Sequence, residues 1–549
     1  MASRYTASSK PAPIDLGSLG WIQGLQLSSP QSQKDLGQYY GGIPFAQAPV
    51  GPLRFRKTRP LPSTFKYGTK SNPGQYTVAG PICPQPTWRW EVDPNTWSED
   101  CLKTNIWVPS GKKPAAGWPV FFYIHGGFLQ FGSADKPIDV IAKMFAETSF
   151  QAIIVMPAYR VNALGFLASH ELDQEARSAG EATGNAGFWD QRAALEWTSR
   201  HIASFGGDPK NITVGGYSAG SHSTFQQLSH DLFLPASQSI IKRAIMWSNG
   251  TGPQPKLLDE HQKSFDELLS TLHISPKLSP SEKLAALRAA PVADIIKVQN
   301  SMRYSEFRGY SDGSFISKSL IKSINSGEYG RRMKARGVKL LNGECADEHY
   351  LYQDWRTPAN SFQAVHARLC ADYPERVVNN VLDLYTKNKQ LPQHCTDWCD
   401  LFGRIYADLQ VHCLERGFHN NLAKAGLEFG SDVLRYRIEW RAECVDALWP
   451  REWKVSHDTD SAIWWWGNGW NEGLSDSEKK IVSPFHRLFA DFVAGKDVQW
   501  EKKGPKYVKR LNSSGGLDMW EDERWEEALE VWKAVNGSTS SDGSLPAKL

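Results

Sequence analysis

A serine between two glycines is the residue whose type and spacing most directly indicate chemistry in this chain. The run G-Y-S-A-G at residues 216–220 has the G-x-S-x-G spacing of a nucleophile elbow and follows a β-rich run at 212–215. A strand that turns into a helix so abruptly leaves no room for side chains two positions before and after Ser218, which explains both glycines. The hydroxyl would lie at a helix N-terminus, which favours negative charge. A chance match of common residues is the alternative.

A serine nucleophile requires partners elsewhere in the chain. It needs a base, an acid that orients the base, and N–H donors for the oxyanion that develops in acyl transfer. In α/β hydrolases the nucleophile, the acid and the histidine follow in that order along the sequence. Candidate segments occur in this order here, with GECADEHYLY at 343–352 and VSHDTDSAIWWWGNGW at 455–470.

Several further segments resemble the type-B carboxylesterases, the carboxylesterase/lipase family that includes the cholinesterases. They are GIPFAQAPVGPLRF (42–55), SEDCLKTNIWVPS (98–110), IHGGFLQFGSA (124–134), YRVNALGFL (159–167) and GNAGFWDQRAALEW (184–197), the last leading into the serine segment (205–221). The similarity is dense over about 40–250 and sparser, though in order, to about 465. It implies an α/β-hydrolase fold and hydrolysis of carboxylic esters.

The resemblance also implies roles for individual residues of the two later segments. Glu348 follows an aspartate in a glycine-containing segment and matches the triad acid, with Asp347 as the alternative. His457 matches the catalytic base of the family's histidine-bearing loop. Ser248, at the end of a predicted strand, matches a serine that supports the acid. The family usually has glycine after the acid, where this chain has His349.

The N–H donors of the oxyanion hole are predicted to come from the residue after the nucleophile and from one loop. The residue after the nucleophile, Ala219, should offer its N–H. The resemblance adds the loop Gly126-Gly127-Phe128, with the second and third residues as donors. Relatives usually have a third glycine where this chain has Phe128. We therefore expect less room for bulky alcohol groups, such as those of tertiary esters.

The eight cysteines bear on redox compartment and on metal binding. Cys83 and Cys101 match the family's N-terminal disulfide, whereas the second pair of secreted relatives is missing from residues 270–285. That absence fits a reducing compartment, in which both would be free thiols. Cys395 and Cys399 lack a second pair at zinc-finger spacing, so we expect no metal, and no motif requires a cofactor.

Composition and the two ends of the chain indicate where the protein works. The 549 residues carry a net charge of +3 without a long basic block, so we expect no nucleic-acid partner. No apolar run is long enough for a membrane span, and the start has no signal-peptide h-region. The last residues, Ala547-Lys548-Leu549, resemble the S-K-L address of the peroxisomal import receptor. A plain terminus and a cytoplasmic protein are the alternatives.

Apolar periodicity predicts an α/β architecture with a mainly parallel sheet covered by helices. The predicted strands include 118–125, 152–156, 243–247, 338–342 and 432–439, and the predicted helices include 188–205, 475–495 and 521–535. We expect one domain over 1–549, helical insertions at about 255–335 and 350–430, and a flexible tail at 537–549.

Three functions are consistent with the sequence. The first is a serine esterase acting on a small, apolar ester or thioester. The second is an acyl-CoA thioesterase, an acyltransferase or a lactone-forming enzyme, which would share the acyl-enzyme but differ in donor or acceptor. The third is a non-catalytic interaction protein. The 22 tryptophans, three of them at 464–466, would line an apolar pocket or simply pack in the core.

Overall fold

A computed structural model describes residues 8–29, 32, 34–89, 92–467 and 473–537. The predicted tail beyond residue 537, with its C-terminal tripeptide, lies outside the described residues, as does the start of the chain. Within the described part, every helix is too short or too polar to cross a lipid bilayer. The same residues contain no group of three or more His, Cys, Asp or Glu side chains placed to bind a metal ion.

Thirteen strands of the described residues form one mixed sheet. The order is β1-β2-β3-β5-β7-β6-β8-β9-β10-β11-β12-β13, and β4 pairs with β2. The strands from β7 to β12 in this order are parallel, and antiparallel strands extend the sheet at both ends. Their bounds are β1 (Ser8–Asp15), β2 (Trp21–Ser28), β3 (Asp35–Pro44), β4 (Gly74–Gln75), β5 (Lys103–Pro109), β6 (Trp118–Ile124), β7 (Ile153–Pro157), β8 (Gly207–Tyr217), β9 (Arg243–Trp247), β10 (Lys339–Cys345), β11 (Val433–Ile438), β12 (Tyr507–Leu511) and β13 (Leu517–Glu521).

Helices flank this sheet, which confirms the predicted α/β architecture. Their bounds are α1 (Ile138–Glu147), α2 (Asn162–Phe166), α3 (His170–Ser178), α4 (Ala186–His201), α5 (Ala219–Phe233), α6 (Leu258–Thr271), α7 (Pro280–Ala289), α8 (Val292–Gln299), α9 (Leu320–Asn325), α10 (Glu328–Ala335), α11 (His349–Asp354), α12 (Phe362–Asp372), α13 (Glu375–Tyr385), α14 (Trp398–Ala407), α15 (Cys413–Lys424), α16 (Ser461–Trp464), α17 (Asp476–Ala494) and α18 (Trp525–Asn536). A π-helical segment, Asp408–His412, joins α14 to α15. The division of 255–335 and 350–430 into insertions stays a prediction.

Two central strands, β6 and β7, are apolar along their whole length because both faces of the sheet are covered there. Every residue of β6 and of β7 is buried, as expected for parallel strands between layers of helices. Cross-strand partners align the carboxyl ends of three strands, since Tyr217 of β8 lies opposite Trp247 of β9, which lies opposite Gly343 of β10. Residues that follow these three strands therefore emerge at the same edge, the usual place for ligands in such sheets.

The structure corrects one sequence prediction and resolves two that had left alternatives open. The helix predicted from residue 521 begins at Trp525, because Leu517–Glu521 pairs with β12 as an antiparallel strand. Cys83 and Cys101 form a disulfide, with their Cα atoms 5.1 Å apart, so they are not free thiols. In the tryptophan run, Trp464 is buried and stacks on Trp247 at 4.8 Å between ring centroids. The run packs in the core rather than lining a pocket.

Candidate active site

The turn around Ser218 has the backbone of a nucleophile elbow. Strand β8 ends at Tyr217 and α5 begins at Ala219, so one residue makes the turn, with φ 57° and ψ −124°. A Cβ on Gly216 would lie 2.3 Å from the carbonyl oxygen of Gly220, and one on Gly220 would lie 2.0 Å from the carbonyl oxygen of Ile124. Both glycines are therefore required by close backbone approach, as the motif predicts.

A glutamate and a histidine from distant segments meet beside this turn. Nδ1 of His457 lies 2.5 Å from Oε2 of Glu348, and both side chains are buried. The second carboxylate oxygen of Glu348 accepts a hydrogen bond of 2.8 Å from the N–H of Cys345, the last residue of β10. This pair can orient an imidazole and stabilise its cation. Asp347, the alternative acid, bonds to the backbone of Val455 instead.

Hydrogen bonds connect the histidine-bearing loop to the two strands that carry the serine and the acid. The N–H of Asp347 donates to the carbonyl of Val455 at 2.9 Å, and the N–H of Leu351 donates to Ser456 Oγ at 3.3 Å. On the other side, the hydroxyl of Tyr217 donates to Asp460 Oδ1 at 3.0 Å and accepts from the N–H of Asp458. The residue before Ser218 thus positions the loop that bears the imidazole.

The imidazole of His457 lies between two tyrosine rings. The centroid of Tyr217 is 5.0 Å away and that of Tyr352 is 4.9 Å away. Nε2 of His457 is buried and has no hydrogen-bond partner among the described residues, so no such bond joins it to Ser218. Leaving a buried polar nitrogen unpaired costs about 1–3 kcal/mol. A histidine that acts as a general base needs one ring nitrogen free to accept the proton of the nucleophile. The hydrogen bond between nucleophile and base often forms fully only in the complex with substrate.

The predicted oxyanion loop lies against the nucleophile. A Cβ on Gly126 would be 3.0 Å from Ser218 Cβ and 2.6 Å from the carbonyl oxygen of Tyr217. Gly127 and Phe128 both have positive φ, 106° and 57°, and their N–H groups donate to no other described residue. Ala219 opens α5, where first-turn N–H groups have no intrahelical acceptor. Free N–H groups beside a serine can stabilise an oxyanion.

The phenyl ring of Phe128 belongs to an aromatic cluster. It stacks on Trp355 with the centroids 4.3 Å apart and an interplanar angle of 7°, and it meets Tyr352 edge-on at 6.0 Å. The carbonyl of Phe128 accepts hydrogen bonds from Gln130 and Arg308. These contacts stabilise a left-handed backbone that phenylalanine rarely adopts.

Ser248 is placed near the acid by the sheet but makes no hydrogen bond with it. It follows β9 with φ 49°, and its N–H donates to the carbonyl of Gly343 at 2.9 Å. Its hydroxyl is buried and has no partner within the described residues. Its predicted support of Glu348 therefore lacks a direct contact and stays a prediction.

A cavity of 60 Å³, with both apolar and charged side chains in its wall, adjoins the first residue of α5. Its lining includes Ala219 and Leu129 together with the cationic side chains of Lys256 and Arg308. Sequence reasoning assigned no role to these two cations, which no motif marks, nor to Tyr217, which occupies a variable position of the G-x-S-x-G motif. The only signal was position, since Tyr217 precedes the nucleophile and residues 256 and 308 lie in the region predicted as a helical insertion.

Comparisons with known proteins show the family to which the chain is similar. The model of the carboxylesterase family matches residues 12–528. A carboxylic ester hydrolase of Gibberella moniliformis is 50% identical over 534 residues, 96% of this chain and 97% of that protein. An uncharacterized esterase/lipase of Schizosaccharomyces pombe is 34% identical over 96% of this chain and 97% of its own length.

More distant similarities follow the same pattern. The para-nitrobenzyl esterase of Bacillus subtilis is 30% identical over 68% of this chain and 72% of its own. The crystal structure of Aspergillus niger EstA has a TM-score of 0.73 and 23% identity, and the match covers 95% of this chain and 98% of that one. That likeness confirms the α/β-hydrolase fold. The comparisons give no support to the thioesterase, acyltransferase or interaction-protein hypotheses. This chain therefore belongs to the carboxylesterase family and is an enzyme that hydrolyses carboxylic esters of small molecules.

Proposed function

We propose that the chain cleaves esters through Ser218 as nucleophile, His457 as general base and Glu348 as the acid that orients the base. The observation that carries the proposal is the 2.5 Å contact between His457 Nδ1 and Glu348 Oε2, formed beside a strained serine that opens a helix. A nucleophile, a base and an orienting acid in this chain order are the parts that acyl transfer requires.

The reaction begins with proton transfer from Ser218 Oγ to Nε2 of His457 as Oγ attacks the ester carbonyl. Glu348 stabilises the imidazolium that forms, and the N–H groups of Gly127, Phe128 and Ala219 hold the oxyanion. The imidazolium then returns its proton to the departing alcohol, leaving an acyl-enzyme. Water, activated by the same imidazole, hydrolyses the acyl-enzyme and restores the serine.

The decisive experiment replaces the nucleophile without disturbing its turn. Ser218→Ala should abolish turnover of a short p-nitrophenyl ester while the thermal midpoint and circular dichroism stay those of the wild type. Ser221→Ala, in the first turns of the same helix, is the matched control and should remain active. A Ser218→Ala protein that keeps wild-type turnover would rule out the mechanism. Mass spectrometry of the trapped acyl-enzyme would identify the acylated serine.

Delivery to peroxisomes is a separate proposal that rests on the sequence of residues 547–549 alone. A fluorescent protein carrying the last ten residues of this chain should collect in peroxisomes. The same fusion without the final three residues should remain diffuse. Identical distributions of the two fusions would remove the proposal.

A further inference from the structure

The cavity beside Ala219 combines an apolar wall with charged side chains, whereas the sequence predicted an apolar pocket. Its volume of 60 Å³ accommodates about four to six water molecules, so a short substrate arm would fill it. Leu129, which follows the oxyanion loop, and Ala219, which follows the nucleophile, both line it. A group bound here would therefore be joined to the ester that reacts at Ser218.

Lys256 lines this cavity as an ammonium group without a carboxylate partner. Its Nζ donates to the carbonyl oxygens of Cys370 and Ala371, at 2.7 Å in each case. Lys256 forms no salt bridge within 4.0 Å among the described residues, although the negative charge of Asp372 in the same wall acts on it from farther away. An ammonium group has three donor hydrogens, so one remains without a protein acceptor. Burial lowers the pKa of Lys256, as expected for a charge that its surroundings compensate only partly.

Arg308 brings a second cation to the same cavity. Its Nε donates to Asp372 Oδ1 at 2.7 Å, and its Nη2 donates to the hydroxyl of Tyr406 at 2.9 Å and to Glu306 at 3.2 Å. Nη1 donates to the carbonyl of Phe128. One hydrogen of Nη1 thus remains available. Burial opposes the charge, but the neighbouring carboxylates keep the pKa of Arg308 well above its ordinary value, so the guanidinium stays charged.

The carboxylates near the cavity are already shared among several cations. Asp372 also accepts a hydrogen bond of 2.5 Å from Arg368, and Glu306 accepts bonds of 3.1 Å from Arg356 and Arg368. Among the side chains that line the cavity, Lys256 and Arg308 are cations and Asp372 is the one anion, so the wall carries one net positive charge. An excess of buried positive charge is costly unless a further anion joins it.

Apart from Lys256, Arg308 and the carboxylate of Asp372, the polar groups of the cavity wall are neutral. Burial lowers the pKa of His222 to about 4, so its imidazole is uncharged near neutral pH. The side chain of Asn249 donates to Gln410 Oε1 at 2.8 Å, and Gln410 donates to the hydroxyl of Tyr373. None of these groups offsets the charge of the cations, so the interior of the cavity is electropositive.

We propose that this cavity binds a carboxylate on a short arm of the substrate, so that the enzyme prefers acidic esters such as half-esters of dicarboxylic acids. Lys256 is the specificity-determining residue and donates its free hydrogen to the substrate carboxylate, with Arg308 adding a second donor. The inference rests on the proposed function, because the reaction at Ser218 places the ester bond beside Ala219. Charge-assisted hydrogen bonds of this kind are among the strongest in proteins.

Two pairs of substrates test the preference and distinguish which side of the ester carries the acid. Monomethyl glutarate against methyl hexanoate places the carboxylate on the acyl side. The acetate ester of γ-hydroxybutyrate against pentyl acetate places it on the alcohol side. The wild type should hydrolyse the acidic member of at least one pair with the higher kcat/KM, and added salt should reduce that preference.

Lys256→Met should lower the preference for the acidic ester about tenfold, and Lys256→Arg should keep most of it. Lys277→Met removes an exposed lysine and is the control for net charge.

Because Lys256→Met also leaves two carbonyl oxygens without a donor, a second test keeps the lysine. Gly252 has φ 66°, which strains any side chain but aspartate and asparagine less than most, and a Cβ there would lie 3.7 Å from the nearest atom. Gly252→Asp should reduce the preference more than Gly252→Asn, because only the former neutralises the cavity.

The outcomes separate this inference from the mechanism. If the wild type prefers neither acidic ester, or if Lys256→Met and Lys277→Met change the preference equally, the cavity does not bind a carboxylate. If Ser218→Ala keeps its activity, the mechanism fails instead. The cavity is then tested by calorimetric binding of monomethyl glutarate, which Lys256→Met should weaken about tenfold and Lys277→Met should not. Equal affinities of the two variants would overturn the inference.

Discussion

Two glutamate–histidine pairs lie near the end of β10, and they differ in what surrounds them. Glu344 Oε2 lies 2.7 Å from His412 Nδ1, and Glu348 Oε2 lies 2.5 Å from His457 Nδ1. Both pairs are buried. Residue types and distance alone would assign the two pairs the same role.

Arginines surround the first pair and are absent from the second. Arg416 donates to both oxygens of Glu344, at 2.7 and 2.9 Å, and Arg437 donates as well. Among the described residues, Glu348 has no lysine or arginine within 4.0 Å. The carboxylate of Glu344 is thus committed to guanidinium groups and stabilises the fold. That of Glu348 is left to respond to the charge on His457, so the neighbouring cations decide which pair can serve a reaction.

Replacing the two histidines should give the largest difference in activity between the pairs. His457→Gln should lower kcat by at least about a thousandfold, because the nucleophile loses its base, with little change in the thermal midpoint. His412→Gln should keep most of its activity per folded molecule and lose stability instead. Steady-state kinetics and thermal unfolding of both variants measure the contrast. The reverse pattern would mean that His412 belongs to the reaction.

The two glutamates sharpen the same contrast. Glu348→Gln should lower kcat about a hundred- to ten-thousandfold, since an amide cannot stabilise the imidazolium. Glu344→Gln should instead lower the free energy of unfolding by about 3–5 kcal/mol, because it leaves Arg416 and Arg437 short of a counter-charge. Urea titrations and kinetics on the same preparations provide both values. Equal losses of stability would contradict the assignment of roles.

Low pH should lower the stability of the fold through the Glu344–His412 pair. Burial alone would raise the pKa of Glu344, but Arg416 and His412 outweigh it and keep the pKa well below its ordinary value of 4.5. A carboxyl with a depressed folded-state pKa contributes stability above its unfolded pKa and loses that contribution as pH falls. The free energy of unfolding should therefore decline below about pH 4.5, and Glu344→Gln should flatten the decline. An unchanged slope in the variant would refute this.

A smaller effect on activity is expected from removing the Tyr217 hydroxyl, which connects the loop bearing His457 to the turn at Ser218. Tyr217→Phe removes the hydroxyl that contacts Asp458 and Asp460, so the loop that bears His457 loses two hydrogen bonds. We expect kcat/KM to fall about thirtyfold, because two bonds at about 1 kcal/mol each amount to about 2 kcal/mol. Tyr329→Phe, a buried tyrosine in α10, is the control and should retain wild-type kinetics. If both variants behave alike, the contacts of Tyr217 have no role in positioning the base.

The smallest expected effect concerns substrate size. Phe128→Gly suits the positive φ at this position and removes the ring from the oxyanion loop. The ratio of tertiary-butyl to ethyl acetate hydrolysis should rise, with ethyl acetate as the internal reference. An unchanged ratio would show that the ring, stacked on Trp355, does not limit the alcohol side.

Much of the fold and the identities of the site residues could be predicted because their signals are local. A continuous apolar run such as that of β6 predicts a buried parallel strand, and glycines at 216 and 220 predict the tight turn at Ser218. The sequence also predicted Glu348 and His457 through their resemblance to a family. It failed at Leu517–Glu521, where pairing with β12 overrides a helical pattern, and it left open whether Cys83 and Cys101 are bonded or free, which the structure resolves as a disulfide.

By itself the sequence determined the elbow and membership in an esterase family, and it predicted the order of nucleophile, acid and base, because each depends on residues that are adjacent or on motifs in order. Only the tertiary structure decided which of two similar glutamate–histidine pairs is free of arginines, and that Lys256 and Arg308 meet beside Ala219. Charge balance at a buried point depends on side chains that arrive from different elements. The spacing of residues along the sequence does not predict these contacts, because the packing of the sheet and its helices creates them.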